Sequence, residues 1–187
     1  MSTLLTATPG QTVGPFYGYA LPFDRGSELV PPGSPGAVRF GGVVTDGGGN
    51  PVPDALLEIW QADADGKVPS AAGSLHRDGW TFTGWGRAAT DDAGHYSFST
   101  VLPGASVPGA APFILVTVFA RGLLNRLFTR AYLPGDQLQN DPLLKSLPAH
   151  RRQTLIATQE ATGLRFDIKL QAGDDETVFL TYPGHRP

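Results

Sequence analysis

Turn-forming residues limit what this chain can fold into. Its 24 glycines and 17 prolines account for about a fifth of the 187 residues, whereas these two types make up roughly 12% of an average protein. Both destabilise helix interiors, so a bundle of long helices is excluded. Hydrophobic residues at 41% and aromatic residues at 10% still provide a sizeable core, which argues against disorder. The composition therefore predicts a loop-rich, mainly β fold.

Short apolar and alternating segments predict the strands. They lie at residues 38–45, 56–61, 84–90, 95–101, 113–119, 127–133, 165–170 and 178–180. The turn at residues 91–94 predicts that 84–90 and 95–101 form a hairpin. Asp141 followed by Pro142 is the only helix signal, an N-cap with proline at the first helical position. This pattern predicts a mainly β protein, an antiparallel β-sandwich or barrel with one or two short helices.

The chain divides into an N-terminal arm, residues 1–37, and a core domain, residues 38–187. Repeated proline and glycine prevent regular structure in the arm, yet it carries Phe16, Tyr17, Tyr19 and Phe23. Aromatic side chains on an irregular segment need a surface to cover them. We therefore expect the arm to pack either against its own core or against a partner chain.

Charge, cysteine content and the N-terminus exclude several classes. Fourteen basic and 17 acidic residues give a net charge of -3, without the basic face of a nucleic-acid-binding protein. The absence of cysteine removes disulfides, thiolate metal sites and cysteine nucleophiles. The N-terminus lacks a basic start followed by an apolar stretch, and the most apolar run, residues 110–120, is too short to span a bilayer. A cytoplasmic protein is expected.

Local motifs do not reveal a self-sufficient active site. The four histidines are far apart, and the chain contains no Gly-x-Ser-x-Gly nucleophile elbow. Arg130 lies in the apolar segment 127–133, so it must be paired or reach a wet cavity. It is either half of a structural ion pair or a cationic contact for an anionic ligand. Likewise, residues 11–17 are either a plain arm or a segment in which Gly14 lets the backbone approach a ligand closely.

Several stretches together resemble one family. They are QTVGPF (11–16), LEIWQAD (57–63), DAGHY (92–96), FARG (119–122), RRQTLIA (151–157) and RFDI (165–168). In this order they are similar to the intradiol ring-cleavage dioxygenases. The resemblance covers nearly the whole chain, and its WQAD and FARG segments are specific. It implies a β-sandwich of the intradiol dioxygenase type with an irregular N-terminal arm.

The resemblance also implies a partner chain and a metal. In two-chain members, alpha and beta chains share one fold, and each pair holds one ferric ion on the beta chain through two Tyr and two His. Here Phe113 and Leu115 stand at the His positions, while Val68 and Ser106 lie near the Tyr positions. Phenyl and aliphatic groups cannot coordinate Fe(III). This chain is therefore expected to hold no metal, with Fe(III) on the partner beta chain.

The role implied for this chain is to complete the substrate pocket and to assemble the hetero-oligomer. The alpha-chain arm lines that pocket in the family, which assigns Thr12, Gly14 and Pro15 to substrate binding. The Thr-Arg-x-Tyr frame assigns Arg130 to the substrate carboxylate. Phe16 stands where relatives carry Tyr. No catalytic residue is expected on this chain, and the arm, residues 1–37, is expected to pack on the partner.

The activity implied is O2-dependent cleavage of protocatechuate to 3-carboxy-cis,cis-muconate, in the beta-ketoadipate pathway of aromatic catabolism. A non-catalytic β-sandwich binding module is the alternative, because such modules share the fold, although they have little use for an aromatic arm. A self-sufficient homo-oligomeric dioxygenase is a further alternative, which the missing Tyr and His ligands disfavour.

Overall fold

Two β-sheets form the framework of the protein. The computed structural model describes Gly14, residues 16–70 and residues 75–182. The strands described there are β1 (Ala37–Thr45), β2 (Leu56–Trp60), β3 (Trp85–Ala89), β4 (His95–Val101), β5 (Phe113–Phe119), β6 (Leu127–Tyr132), β7 (Thr158–Glu160), β8 (Gly163–Arg165) and β9 (Ile168–Lys169). The first sheet has the order β4-β1-β8-β7 with β9 beside β1, and the second has the order β3-β2-β5-β6. The expected β-sandwich is confirmed.

The helices are short. They are α1 (Tyr17–Ala20), α2 (Pro142–Ser146) and α3 (Ala149–Gln153), with 3-10 turns at Asp136–Asn140 and Gly173–Asp175. The N-cap expected at Asp141 is confirmed, because its Oδ1 accepts a hydrogen bond from the Leu144 amide at 3.0 Å. Helices α1 and α3 were not indicated by the sequence pattern. Across the described residues, no helix has the length and apolar character that crossing a membrane requires.

The main core lies between the two sheets and is centred on aromatic side chains of the first. Phe40 of β1 is fully buried. Its ring centroid lies 6.0 Å from that of Tyr96, 6.3 Å from that of Phe98 and 6.4 Å from that of Phe166. The second sheet contributes the opposite side of the same core through residues such as Ile59. As the alternation predicts, Tyr96 and Phe98 are buried while His95 and Ser97 are exposed.

The predicted hairpin of residues 84–90 and 95–101 is wrong. β3 pairs with β2 in the second sheet, whereas β4 pairs with β1 in the first. The turn at residues 91–94 is present, and the Asp91 amide donates to the His95 carbonyl, but the chain passes there from one sheet to the other. Residues 178–180, predicted as a last strand, also lie outside the strands.

Strand β1 is hydrogen-bonded along both edges. It pairs antiparallel with β4 on one side, and in parallel with β8 and β9 on the other. The segment at Phe166 approaches Gly42 so closely that a Cβ at Gly42 would clash with the Phe166 carbonyl oxygen. Glycine is therefore required at this position by space alone.

The described part of the arm packs on the chain's own sheets. The Leu29 side chain is buried in the main core, and its amide donates to the Ser99 carbonyl of β4 at 2.8 Å. The Phe23 ring stacks on Trp85 of β3, with centroids 5.8 Å apart. These contacts attach the arm to the core at Phe23 and Leu29, and packing of the arm on a partner chain stays a prediction.

Thr90 joins the end of β3 to the loop before β2. Its buried Oγ1 accepts from the Ala55 amide at 3.0 Å and donates to the Val52 carbonyl at 2.7 Å. Thr90→Val keeps the shape but leaves the Ala55 amide without this acceptor, so we expect a loss of about 1 to 3 kcal/mol in unfolding free energy. Urea denaturation measures this loss. Thr162→Val, at an exposed position, is the control and should change stability by less than about 0.5 kcal/mol; equal losses would contradict the prediction.

Candidate functional site

Arg130 lies on the outer face of the second sheet. Leu115 of β5 is opposite Arg130 of β6 and opposite Trp60 of β2. Phe113 and Tyr132 form another opposed pair on β5 and β6. Because side chains alternate along a strand, this pair lies on the same face of the sheet as Leu115 and Arg130. This places the Arg130 guanidinium beside aromatic and aliphatic side chains, in a half-buried position.

The guanidinium of Arg130 is held by aromatic residues rather than by a carboxylate. Its Cζ lies 4.2 Å from the centroid of the Phe113 ring, within range of a cation–π interaction. Its Nη1 donates to the Tyr132 hydroxyl at 3.1 Å. The ion pairs among the described residues do not include Arg130, so the structural ion pair considered from the sequence is not what holds it.

Arg130 stays charged although part of its guanidinium is buried. Within the described part of the chain, its Nε is buried without a hydrogen-bond acceptor. Burial lowers the pKa of Arg130, but hydrogen bonds and attraction from Tyr132 and Tyr182 outweigh burial and raise it. The side chain is therefore a permanent cation, and a guanidinium suits a carboxylate ligand.

Tyr132 and Asp141 continue the hydrogen-bonded group behind Arg130. The Tyr132 side chain is fully buried, and its hydroxyl lies 3.2 Å from the Asp141 Oδ1. Burial raises the pKa of Tyr132 to about 12, even though the neighbouring Arg130 lowers it. At neutral pH the phenol is therefore protonated and can donate to Asp141.

The raised pKa of Tyr132 makes stability depend on pH in a defined window. A folded-state pKa near 12, against 10.0 for an ordinary tyrosine, means that the stabilisation from the protonated phenol is complete below pH 10 and is lost as pH rises through about 12. Wild type should therefore lose on the order of 2 kcal/mol more than Tyr132→Phe across that interval. Urea denaturation at several pH values measures this difference. Parallel pH curves for the two proteins would contradict it.

Residues from a strand and from two loops line one pocket next to the strand that carries Arg130. Phe113 and Leu115 come from β5, while Val68 and Ser106 come from loops, and together with Trp60 they surround a cavity of about 200 Å3. These four are the positions that the sequence resemblance assigned to metal ligands. The fold thus brings the assigned positions together.

Of the residues predicted for substrate binding, two can be located. Gly14 is exposed, and no described atom lies within 4 Å of where a Cβ would stand. Arg130 is half-buried on the sheet face, as described above. Thr12 and Pro15 lie outside the described residues, so their assignment stays a prediction, as do the roles of Gly14 and Arg130.

Sequence reasoning missed Tyr132 and Asp141. Arg130 and Tyr132 are two residues apart on one strand, so the strand period places both side chains on one face and could have paired them. Asp141 was interpreted only as a helix cap, and its contact with Tyr132 depends on how α2 packs against β6.

Comparisons with known proteins agree with this geometry. A family model described as Dioxygenase matches residues 12–172. The protocatechuate 3,4-dioxygenase alpha chain of Burkholderia cepacia is 40% identical over 197 residues, covering 95% of this chain and 98% of that protein. The chain belongs to the intradiol dioxygenase family. The protocatechuate 3,4-dioxygenase beta chain of the same organism is 38% identical over 152 residues, covering 71% of this chain and 63% of that protein.

A solved structure supports the fold of this intradiol dioxygenase. The intradiol ring-cleavage dioxygenase from Tetranychus urticae superposes with a TM-score of 0.57 at 17% identity, covering 86% of this chain and 88% of that one. At this identity the similarity concerns the fold alone. It confirms the sandwich architecture expected from the sequence.

The residues lining the pocket do not fit the Fe(III) that the family uses. Of the four positions assigned to ligands, only Ser106 carries an oxygen donor, and the others are phenyl or aliphatic. Gln61 also lines the pocket, but its amide is bonded to the Thr100 hydroxyl and to the Val101 carbonyl. Within the described residues, no group of three or more His, Cys, Asp or Glu side chains could hold a metal ion.

Proposed function

We propose that this chain is the alpha subunit of a protocatechuate 3,4-dioxygenase. The observation that carries the proposal is the similarity to an alpha chain over 95% of this chain and 98% of that relative. The enzyme would use O2 to open the ring of protocatechuate between its two hydroxyl-bearing carbons, giving 3-carboxy-cis,cis-muconate. Both oxygen atoms of O2 enter the product. Membership of the dioxygenase family disfavours the alternative of a non-catalytic binding module.

Iron would be held by a beta chain of the same fold. The pocket of this chain supports an iron site on the beta chain instead, because Phe113, Leu115 and Val68 present carbon atoms where ferric iron needs oxygen or nitrogen. The similarity to a beta chain as well as to an alpha chain supports a partner of related fold. The assembly would then be a hetero-oligomer of alpha–beta pairs.

The contribution of this chain would be substrate binding. Arg130 would donate hydrogen bonds to the carboxylate of protocatechuate, because its guanidinium is charged and it lies opposite Leu115, which lines the pocket. The segment with Thr12, Gly14 and Pro15 would form a wall of the pocket while the arm packs on the partner. Neither contribution requires a catalytic group on this chain.

Co-expression tests the proposal. A tag on this chain should capture a beta-type chain, yielding a red-brown complex with about one iron per alpha–beta pair, as the family resemblance implies. The complex should consume one O2 per protocatechuate. The tagged chain expressed alone is the control and should be free of iron and colour. Iron and activity in the chain alone, or failure to capture any beta-type chain, would contradict the proposal.

A further inference from the structure

The Arg130 guanidinium is held in place by its own chain. The ring of Phe113 lies beneath it, with Cζ 4.2 Å from the ring centroid. The Tyr132 hydroxyl accepts from Nη1 at 3.1 Å. The Phe113 and Tyr132 rings also contact each other, with centroids 5.5 Å apart and planes at 54°. Phe113 therefore contacts one face of the guanidinium, and the Tyr132 hydroxyl binds its Nη1 end.

The direction of each hydrogen bond in this group is fixed by chemistry. A guanidinium only donates, and an ionised carboxylate only accepts. The Tyr132 hydroxyl, which lies 3.1 Å from Arg130 and 3.2 Å from Asp141, must therefore accept from Arg130 and donate to Asp141. Its single proton is used on Asp141, so its lone pairs are directed toward Arg130.

Asp141 anchors the far end of the chain of hydrogen bonds. Only 5% of this residue is exposed. Its Oδ1 accepts from the Leu144 amide at 3.0 Å, as the N-cap of α2. The same oxygen therefore joins a helix terminus to the tyrosine behind Arg130, and the carboxylate cannot turn away without breaking the cap.

We propose that Tyr132 and Asp141 are positioning residues that hold Arg130 in the orientation in which it binds the substrate carboxylate. The inference rests on the proposed function, in which Arg130 binds protocatechuate. An unconstrained arginine loses rotamer freedom when it binds a ligand. An arginine that is already oriented loses less, which strengthens binding without any new contact to the ligand.

Two variants test the role of the hydrogen-bonded group in the alpha–beta enzyme. Tyr132→Phe removes the hydroxyl and keeps the ring. Asp141→Asn keeps a helix cap of similar strength but removes the charge. We expect Tyr132→Phe to raise KM for protocatechuate about 5- to 10-fold, corresponding to the net contribution of one hydrogen bond. Asp141→Asn should have a smaller effect in the same direction. KM for plain catechol, which lacks the carboxylate, should change less than about twofold.

Tyr96→Phe is the matched control. It also removes a buried tyrosine hydroxyl, which donates to the Phe166 carbonyl in the first sheet. The loss should lower stability while leaving the ratio of the two KM values unchanged. A change in that ratio therefore reports on Arg130 rather than on general destabilisation.

A double variant separates positioning from an independent contribution. If Tyr132 acts through Arg130, Arg130→Ala combined with Tyr132→Phe should have the same KM as Arg130→Ala alone. Independent contributions would instead multiply the increases in KM.

A measurement without catalysis adds a second check. NMR titration of labelled tyrosine should show Tyr132 ionising at higher pH in Arg130→Ala and at lower pH in Asp141→Asn. Arg130 favours the phenolate, and Asp141 opposes it.

The possible outcomes distinguish this inference from the proposed function. A selective effect of Arg130→Ala combined with an unselective effect of Tyr132→Phe, or with multiplying effects in the double variant, overturns the inference alone. An Arg130→Ala variant with no selective effect overturns both the assignment of Arg130 to substrate and the inference. An unchanged Tyr132 titration in both variants overturns the hydrogen-bonded group itself.

Discussion

Replacing Arg130 by alanine should raise KM for protocatechuate about 10- to 150-fold. A hydrogen bond to a charged group contributes about 1.5 to 3 kcal/mol, and each 1.4 kcal/mol corresponds to a factor of ten. KM for plain catechol should change less than about threefold, because catechol has no carboxylate for the guanidinium to bind. Steady-state O2 uptake by the alpha–beta enzyme, with both substrates, measures the two values.

Two further substitutions make the Arg130 experiment specific. Arg130→Lys keeps a positive charge but loses the planar fork, so its KM for protocatechuate should lie between wild type and Arg130→Ala. Arg165→Ala removes an exposed arginine of the first sheet that pairs with Asp167, and both KM values should stay near wild type. Equal increases of KM for the two substrates in Arg130→Ala would show that Arg130 does not contact the carboxylate.

Phe40→Ala should lower the unfolding free energy by about 3 to 5 kcal/mol. Phe40 is fully buried and contacts three other rings, those of Tyr96, Phe98 and Phe166. Truncation loses the transfer free energy of the ring and leaves a cavity that these rigid neighbours can fill only in part. A loss of this size is a large fraction of the stability of a typical domain.

Graded substitutions at Phe40 and a matched phenylalanine complete this test. Phe40→Leu keeps much of the apolar volume, so its loss should be clearly smaller than that of Phe40→Ala. Phe16 is 78% exposed, so Phe16→Ala should change stability by less than about 0.5 kcal/mol. Urea unfolding of the purified chain compares all three. Similar values for Phe40→Ala and Phe16→Ala would mean that the aromatic cluster is not the centre of the core.

Local sequence signals predicted where the strands and helices lie better than they predicted which strands pair with each other. Alternation located β4 because its side chains face core and solvent in turn, and Asp141-Pro142 located the start of α2. The turn at residues 91–94 was also present. A turn signal, however, specifies only that the chain reverses, and not which strand provides the hydrogen bonds. Here β3 and β4 find their partners in different sheets, a choice determined by the packing of the whole sandwich.

At the candidate site, too, residues nearby in sequence predicted a feature but not its contacts with distant parts of the chain. Arg130 stood out in the sequence because a charge among apolar residues requires a partner. The nature of that partner did not follow, since the Phe113 ring belongs to another strand and the Asp141 carboxylate to a helix cap. The pocket formed by Val68, Ser106, Phe113 and Leu115 was anticipated only through a family resemblance, because two of its residues lie on loops of irregular structure.

The double pairing of β1 has a consequence for how the chain folds during synthesis. One edge of β1 meets β4 soon after translation, but the other waits for residues as distant as Asp167, which is 124 positions from its partner Val43. Such distant contacts slow folding, because a long loop must close before they contribute. Until the last fifth of the chain leaves the ribosome, β1 offers an unpaired edge that can add strands from other chains. Chaperones that shield such edges should therefore act on this protein from the emergence of β1 until the C-terminal strands have been made.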